Sequence, residues 1–373
     1  MKVGFSGFVL DGGKSGVSTY ILELLKALYE NDSENQYDLM LNKQDIHLIE
    51  HLRDKIAISP YSTSWSHPIA NILWHNCVLP FTSFQKQYDV VHIPDNRRVP
   101  FVKGSKIVTT THDLGPIHLF GKYDSVRTFY HKQVLTRSIH TSDHVICVSQ
   151  ATKNDVIRFT GYPEDKISVI YSGINTERFR PLPKEEVRER LIERYLLGKP
   201  YFIYVSRIEH PAKNHINLIK AFELFRDQYK INHQLVFVGA TWFRGDEVYK
   251  FAKKSRYSKD ILFLGFIPPE DVVDLYNGAD AMVFPSLHEG FGFPLLEAMA
   301  CGTPVACSNT TSLGELGKGY AHLFDPLEPA DICGKMALAQ TQTTERTEKC
   351  LQYARSFNWN QAAKDVIDVY KKI

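Results

Sequence analysis

Two glutamates flank a pair of glycines in the stretch FPSLHEGFGFPLLEAMACGTPV, which covers residues 284–305. Gly290 and Gly292 stand just before an apolar run with helical spacing. Bare backbone amides and the positive end of a helix dipole attract anions. The stretch therefore predicts a strand, a glycine turn and a helix, with an anion bound at the turn. Glu289 and Glu297 would not repel that anion if each pointed at sugar hydroxyls; the alternative is that both are solvated surface charges.

Two cations follow a predicted strand at Tyr201–Ser206. Arg207 stands at the end of this strand, and Lys213 comes six residues later, before the apolar spacing of a helix. Ligand groups gather at the carboxyl ends of strands in parallel α/β sheets. Paired cations there can neutralise a diphosphate. An isolated pair would more often be two surface charges, so this prediction depends on the glutamate motif downstream.

The order of Glu289, the glycine turn and Glu297 resembles the donor-site motif of retaining glycosyltransferases with the GT-B fold. The motif is most similar to that of family 4, which contains many mannosyl-, glucosyl- and N-acetylhexosaminyltransferases. The resemblance implies that Glu289 approaches the donor sugar and that Glu297 binds the ribose hydroxyls. It also implies that the amides holding the sugar and the diphosphate belong to Gly290, Phe291, Gly292 and Phe293.

The resemblance extends over nearly the whole chain and is strongest from Arg207 to Val305. It implies that Arg207 and Lys213 hold the donor diphosphate and help the nucleotide to leave. The segment LGFIPPEDVVDLY is similar to the family segment beside the nucleobase, which makes Ile267 a donor-binding candidate. SLGELGKGYAHLF departs from the family pattern, where a proline, a glutamate and a glycine-rich turn are more usual. This departure affects the expected rim of the nucleotide pocket.

A second glycine turn lies near the start of the chain, between a predicted strand at Lys2–Phe8 and a predicted helix at Val17–Tyr29. The sequence GFSGFVLDGGKSG does not place GxGxxG directly between strand and helix, so it argues against a nicotinamide-dependent enzyme. SGVSTY resembles the family loop that faces the donor diphosphate. By this resemblance Gly16 is a donor-binding residue.

The segment KIVTTTHDL delivers His112 at the carboxyl end of a predicted strand, a usual place for ligand groups. Family members carry a similar HDL segment, whose histidine lies beside the donor sugar. His112 is therefore a catalytic candidate by resemblance. The alternative is a structural histidine whose hydrogen bonds are satisfied within the fold.

A predicted helix at Tyr123–Thr141 carries several basic side chains. They are Arg127, His131, Lys132 and Arg137. The ordinary interpretation is a solvated helix face balanced by nearby acids. The alternative is a basic face toward an acidic acceptor or a lipid headgroup, which would give the enzyme a peripheral membrane contact.

The bulk composition excludes several classes of protein. Hydrophobic residues at 43% and charged residues at 23% are typical of a soluble globular chain. A net charge of +2 gives no field that would favour nucleic acid. Six cysteines without a CxxC pair predict free thiols in a reducing compartment, hence a cytoplasmic location. The first residues, MKVGFSGFVLDGG, are interpreted as a strand and not as a signal peptide.

Short β-branched runs alternate with helical patterns, which predicts mostly parallel sheets covered by helices. At 373 residues the chain is expected to form two domains. With the resemblance, we expect an α/β protein of the GT-B fold, in which two Rossmann-like doubly wound domains face a cleft. The expected domains are an acceptor domain at 1–180, a donor domain at 181–356 and a helix at 357–373 that crosses back. The connection is expected at about residues 175–195.

The predicted activity is that of a retaining hexosyltransferase with four catalytic residues: His112, Glu289, Arg207 and Lys213. The donor would be a GDP- or UDP-type sugar of the mannose or glucose class, and the acceptor a glycan or a lipid-linked sugar. Neither a cofactor nor a metal is expected, because no DxD triplet occurs and the two cations can take the place of magnesium. The alternatives are a sugar-nucleotide epimerase or hydrolase on the same fold, and a binding module without catalysis.

Overall fold

The computed structural model describes the backbone of residues 1–52, 56–118 and 125–373. These residues form two compact units. The first unit is discontinuous in sequence, because it combines Met1–Gly173 with Asn358–Ile373. The second unit is the uninterrupted segment Ile174–Phe357, so the segment expected to connect the domains, at about residues 175–195, lies entirely within this unit.

The described residues of the first unit form seven parallel strands with helices between them. The strands are β1 (Lys2–Ser6), β2 (Gln36–Asn42), β3 (Ala57–Tyr61), β4 (Val90–Ile93), β5 (Lys106–Thr111), β6 (His144–Cys147) and β7 (Ile167–Val169). The helices, numbered along the whole chain, are α1 (Gly16–Asn31), α2 (Pro68–Leu73), α3 (Leu79–Lys86), α4 (Gly115–His118), α5 (Ser125–Thr141), α6 (Gln150–Thr160) and the C-terminal α15 (Trp359–Lys372).

The second unit contains six parallel strands. They are β8 (Tyr201–Val205), β9 (Gln234–Val238), β10 (Ile261–Phe263), β11 (Ala281–Phe284), β12 (Val305–Ser308) and β13 (His322–Phe324). Its helices are α7 (Lys184–Tyr195), α8 (His215–Tyr229), α9 (Gly245–Lys254), α10 (Pro269–Gly278), α11 (Phe293–Ala300), α12 (Thr311–Gly317), α13 (Pro329–Gln340) and α14 (Thr344–Arg355).

Both sheets are doubly wound. The strand order is β3-β2-β1-β4-β5-β6-β7 in the first unit and β10-β9-β8-β11-β12-β13 in the second. The order reverses between β1 and β4 and between β8 and β11, where Ala281 pairs with Phe202 and Met282 with Ile203. Ligands of such sheets bind beyond the carboxyl ends of the strands at these reversals. The predicted fold class is confirmed.

The sheets are buried on both faces, as parallel sheets covered by helices must be. Every residue of β9 and of β11 is buried, which explains why these strands are continuous apolar runs and not alternating ones. The sequence analysis does not predict β13, which has three residues and offers too little pattern to detect.

The C-terminal helix belongs to the first unit, as expected from the resemblance, and it packs against α1. Tyr370 of α15 reaches the sheet, where its hydroxyl shares a hydrogen bond of 2.6 Å with Nδ1 of His92 on β4. Nε2 of His92 is 2.8 Å from the hydroxyl of Thr110 on β5. A buried polar chain thus joins the last helix to two central strands. Within the described ranges, no helix is both long and apolar enough to cross a bilayer.

Candidate functional site

Lys213 and Glu289 form an ion pair in the second unit. Nζ of Lys213 donates a hydrogen bond of 2.6 Å to Oε1 of Glu289, and the two side chains are only 17% and 16% exposed. A charge pair that is largely shielded from water interacts more strongly than a pair on an open surface. The structure therefore brings together a cation and a carboxylate that the sequence analysis assigns to the donor site.

The pair lies where the strand order reverses, because Lys213 follows β8 and Glu289 follows β11. Hydrogen bonds join the two loops: the amide of Leu287 donates to the carbonyl of Ala212 at 3.0 Å. The buried hydroxyl of Tyr204 donates to the carbonyl of Lys213 at 3.0 Å and lies 2.8 Å from the hydroxyl of Ser286. The positions of both loops are thus fixed by the sheet beneath them.

The backbone of Glu289 is held a second time by the start of α12. Its amide donates to Oγ1 of Thr311 at 3.2 Å, and the hydroxyl of Ser312 donates to its carbonyl at 3.0 Å. Ser312 lies in the segment that departs from the family pattern. This segment therefore contacts the candidate site directly, although through backbone groups of Glu289.

The glycine turn between the glutamates has the geometry that the sequence predicts. Gly292 has φ of +106°, a conformation that favours glycine, and it caps the N-terminus of α11. A Cβ atom at this position would lie 2.8 Å from Cδ2 of Leu313. The side chain of Phe291 is buried and packs against the ring of Phe293, with 5.1 Å between centroids. The conformation at 292 therefore requires glycine, and the ring of Phe291 belongs to the packed interior.

Glu297 lies on α11 and accepts a hydrogen bond of 3.0 Å from the hydroxyl of Tyr276 on α10. Burial raises the pKa of Glu297 to about 7, and the Tyr276 hydrogen bond and the charge of Arg178 only partly oppose this increase. A carboxylate with a pKa near neutrality can change its charge in response to small environmental changes.

Arg207 and Ile267 lie at the same carboxyl edge of the second sheet. Arg207 follows β8, and its guanidinium lies over the exposed ring of Trp242, 5.2 Å from the ring centroid. Ile267 lies in the loop between β10 and α10. The amide of Gly239 donates to the carbonyl of Gly265 at 2.7 Å, which ties this loop to the end of β9. The residues predicted to bind the diphosphate and the nucleobase thus lie at the same edge of the second sheet.

The first unit contains the other two candidates, His112 and Gly16. Nε2 of His112 donates to the carbonyl of Pro94 at 3.0 Å, and the edge of its ring meets the ring of Tyr20 with 4.8 Å between centroids. Gly16 begins α1, one turn before Tyr20, and Ser15 caps this helix by accepting from the amide of Ser18. Burial lowers the pKa of His112 despite the nearby carboxylate of Asp95, which favours the neutral form of the ring.

Three neighbours of the site were not predicted from sequence. Tyr204 and Ser286 support the loops of the ion pair, and Tyr276 binds Glu297. Ser286, two residues after the strand at 281–284, could have been suspected from its position. The two tyrosines lie in apolar runs and look like ordinary core residues.

The predicted basic helix is described only in part. The side chains of Arg127, His131 and Lys132 lie outside the described residues. Arg137 is described, and its guanidinium lies over the ring of Phe101, 4.6 Å from the centroid. The interpretation of this helix as a face for an acidic acceptor or a lipid headgroup stays a prediction.

Two family models match different parts of the chain. The model of group 1 glycosyl transferases matches residues 187–357, and the model of glycosyltransferase family 4 matches residues 14–178. Together they account for nearly all of both compact units.

Similar sequences come from bacterial sugar transferases. The O-antigen chain mannosyltransferase B of Escherichia coli is 28% identical over 270 residues, which is 71% of this chain and 70% of that protein. The serotype-specific mannosyltransferase WbdA of Escherichia coli is 28% identical over 336 residues, or 88% of this chain. The match is only 40% of the length of WbdA.

Solved structures share the fold over the full chain. The structure of Anabaena Alr3699/HepE in complex with UDP and glucose has a TM-score of 0.76 at 19% identity and is covered completely. Sucrose-phosphate synthase from Thermosynechococcus elongatus also has a TM-score of 0.76 at 19% identity, with 98% of its chain covered. With matching family models in both units and similar transferases in sequence, the chain belongs to the group 1 glycosyltransferases of family 4 and is an enzyme that transfers sugar.

Proposed function

We propose that this enzyme transfers a hexose, of the mannose type in the first instance, from a nucleoside diphosphate sugar to a glycan or lipid-linked acceptor with retention of configuration. The observation that carries the proposal is the Lys213 and Glu289 ion pair, which is joined to the end of a central strand and lies just before the glycine turn. One partner suits a phosphate and the other suits a sugar hydroxyl. A nucleotide sugar presents both groups next to each other.

Each group in the donor site has a separate task in this proposal. Lys213 and Arg207 neutralise the diphosphate, and the first amides of α11 add the positive end of a helix dipole. Glu297 accepts hydrogen bonds from the ribose. Glu289 faces the sugar, where its negative charge stabilises the positive charge that develops at the anomeric carbon.

The bond changes follow from these positions. The bond between the anomeric carbon and the phosphate oxygen breaks, and the nucleoside diphosphate leaves with the electron pair. The acceptor hydroxyl forms the new bond on the same face, and its proton moves to the departing phosphate oxygen. In this scheme no divalent metal is needed, since two cations and the helix dipole stabilise the leaving group.

The choice of sugar rests on the names of similar proteins. O-antigen chain mannosyltransferase B and WbdA are described as mannosyltransferases, whereas other relatives are D-inositol 3-phosphate glycosyltransferases. The Anabaena structure contains UDP and glucose, so both GDP and UDP donors belong in the first screen.

The test is a donor and acceptor matrix. The enzyme is incubated with GDP-mannose, UDP-glucose or UDP-N-acetylglucosamine, with and without a mannose-containing oligosaccharide or a lipid-linked sugar, and the new linkage is assigned by NMR. We expect turnover of GDP-mannose only when acceptor is present, and the anomeric configuration of the donor in the product. Inversion of that configuration would contradict the proposed mechanism.

The same matrix separates the alternatives. Release of free sugar or formation of an epimeric nucleotide sugar without acceptor would identify a hydrolase or an epimerase. Donor binding without turnover on any acceptor would identify a binding module.

A further inference from the structure

The two cations of the proposed donor site have different partners. Lys213 is paired with Glu289 at 2.6 Å, so its charge is already matched within the site. Arg207 is exposed, and none of the described residues accepts a hydrogen bond from its guanidinium or forms an ion pair with it. What the guanidinium does contact is the ring of Trp242, whose centroid lies 5.2 Å from Cζ. The positive charge of Arg207 is therefore held by an aromatic ring and not by an acid.

The loops after β8 and β9 continue the pairing of these strands beyond their ends. Ile208 and Thr241 form a parallel bridge, and the amide of Trp242 donates to the carbonyl of Ile208 at 2.9 Å. Two residues further along, the amide of His210 donates to the carbonyl of Phe243 at 3.1 Å. The backbone that carries the guanidinium is thus hydrogen-bonded to the backbone that carries the indole.

Two glycines allow the two loops to approach closely. Gly239 follows β9 with φ of +146°, and a Cβ atom there would overlap the carbonyl oxygen of Ser206. A Cβ atom at Gly245, the first residue of α9, would lie 2.5 Å from the carbonyl oxygen of Ile208. A larger residue at either position would push the loops apart. The loop after β9 is therefore seated tightly against the loop after β8.

An aromatic partner leaves the charge of an arginine available. A carboxylate would neutralise the guanidinium and take up two of its N–H groups, and a diphosphate would have to displace it. A ring face attracts the cation through its quadrupole but brings no opposite charge. The start of α9 shows the contrast, since Glu247 accepts two hydrogen bonds, at 2.7 and 2.9 Å, from Arg244. Arg207 has no such partner in the described part of the chain and can offer its charge to a ligand.

We propose that Trp242 is a positioning residue for Arg207, whose guanidinium it holds at the carboxyl edge of the second sheet for the diphosphate of the donor. The inference rests on the function proposed above, because its ligand is the leaving group of that reaction. In this arrangement Trp242 acts through Arg207 and does not itself contact the donor. Its ring is 57% exposed, so replacing it removes little of the core. Substitution should therefore change the contact and leave the unit folded.

Calorimetric titration of the full chain with GDP, UDP or inorganic pyrophosphate tests the proposal without any need for turnover. We expect Trp242→Leu to weaken binding of whichever anion the parent binds by roughly three- to tenfold, which is the range of a cation–π contact. Trp242→Phe keeps an aromatic face and should recover most of this loss. The matched control is Phe243→Leu, which removes the next ring of the same loop, is 39% exposed in the parent, and should bind like the parent.

A double-mutant cycle separates positioning of Arg207 from other roles of the ring. Arg207→Met should weaken anion binding by roughly tenfold or more, because it removes charge-assisted hydrogen bonds. If the ring acts through Arg207, adding Trp242→Leu to Arg207→Met causes no further loss. A ring that contacts the ligand directly, or that only stabilises the loop, would instead lower affinity by the same factor in both backgrounds. Thermal unfolding of each free variant checks that it is folded.

The outcomes distinguish this inference from the proposed function. Anion binding with the expected cycle, but without sugar transfer to any acceptor, would support the role of Trp242 and overturn the transfer. Equal binding by Trp242→Leu and the parent would overturn the role of Trp242 alone, as would an equal loss from Trp242→Leu with and without Arg207. Binding by Trp242→Phe as weak as that of Trp242→Leu would also overturn it. A parent that binds none of the three anions would overturn both.

Discussion

Oε1 of Glu289 lies 2.6 Å from Nζ of Lys213, although 76 residues separate them in the chain. The two belong to loops that follow β8 and β11, so the reversal of strand order brings them together. Before a donor binds, each side chain supplies the opposite charge that the other needs in a site with little water. A phosphate and a sugar hydroxyl that enter the site can take over these roles.

Lys213→Ala should lower kcat by an amount equivalent to about 2 to 4 kcal/mol in the activation barrier, because a positioned cation is lost where charge develops on the leaving phosphate. Steady-state kinetics at saturating donor measure the change. Lys220→Ala is the matched control, since Lys220 lies exposed on α8 and should be replaceable without effect. An unchanged kcat in Lys213→Ala would contradict the assigned role.

Substitutions of Glu297 and Glu289 should change different kinetic constants. Glu297→Ala would remove the proposed ribose contact, which is made about equally in the ground and transition states, so it should mainly raise KM for the donor. Glu289→Gln changes the charge beside the reacting sugar and should mainly lower kcat. Kinetics of both variants with one donor decide the matter. The opposite pattern would mean that the two roles are exchanged.

The pH dependence should report on Glu297. Its pKa of about 7 means that the carboxyl group is largely neutral below pH 7 and ionised above it. Since the ionised form is the better acceptor for ribose hydroxyls, kcat/KM for the donor should rise through about pH 7. Because the Tyr276 hydroxyl lowers the pKa of Glu297, Tyr276→Phe should move this rise to higher pH. Glu297→Gln should remove the rise, and a profile that kept it would assign the titration to another group.

Tyr370→Phe should destabilise the first unit by about 1 to 3 kcal/mol, because it leaves Nδ1 of the buried His92 without its hydrogen bond. The free energy of unfolding is measured by urea denaturation followed by circular dichroism. Tyr229→Phe, at an exposed position on α8, serves as the control and should be nearly neutral. Equal stability of the two variants would show that the Tyr370 hydroxyl contributes nothing.

Treatment with EDTA should leave the rate of sugar transfer unchanged. The expectation follows from the assigned role of Arg207 and Lys213 in neutralising the leaving diphosphate. The assay compares chelated enzyme with the same enzyme resupplied with magnesium or manganese. Activity that disappears in EDTA and returns with either ion would show that the two cations are insufficient.

Much of the fold could be predicted from sequence because its signals are local. Strands such as β9 and β11 are continuous apolar runs, and the glycine turn before α11 precedes a clear helical period. The Lys213 and Glu289 contact was only indicated by a motif, since the reversal of strand order that creates it is a long-range property. The hydrogen bond from Tyr276 to Glu297 depends on how α10 and α11 pack against each other, and the types of the two residues do not predict it.

The orientation of the continuous helical run at 68–86, which contains α2 and α3, could not be predicted for a different reason. The rule that an apolar stripe faces the core would turn Ile69, Phe81 and Phe84 inward and Asn71 and His75 outward. The structure has the opposite arrangement, because the carbonyl of Phe8 and the hydroxyl of Ser6 bind the polar pair. Only the tertiary partners reveal which side is buried.

The position of α15 has a consequence for synthesis on the ribosome. The second unit is one uninterrupted segment and is translated completely before α15 begins. The first unit, although translated earlier, still lacks the helix that supplies Tyr370 to His92 and packs Trp359 against Gly173, where a Cβ atom would lie 2.3 Å from the amide nitrogen of Trp359. A nascent chain that already contains the whole second unit therefore still has an incomplete first core. The first unit is therefore synthesised first, but its core is completed last, when α15 has been translated.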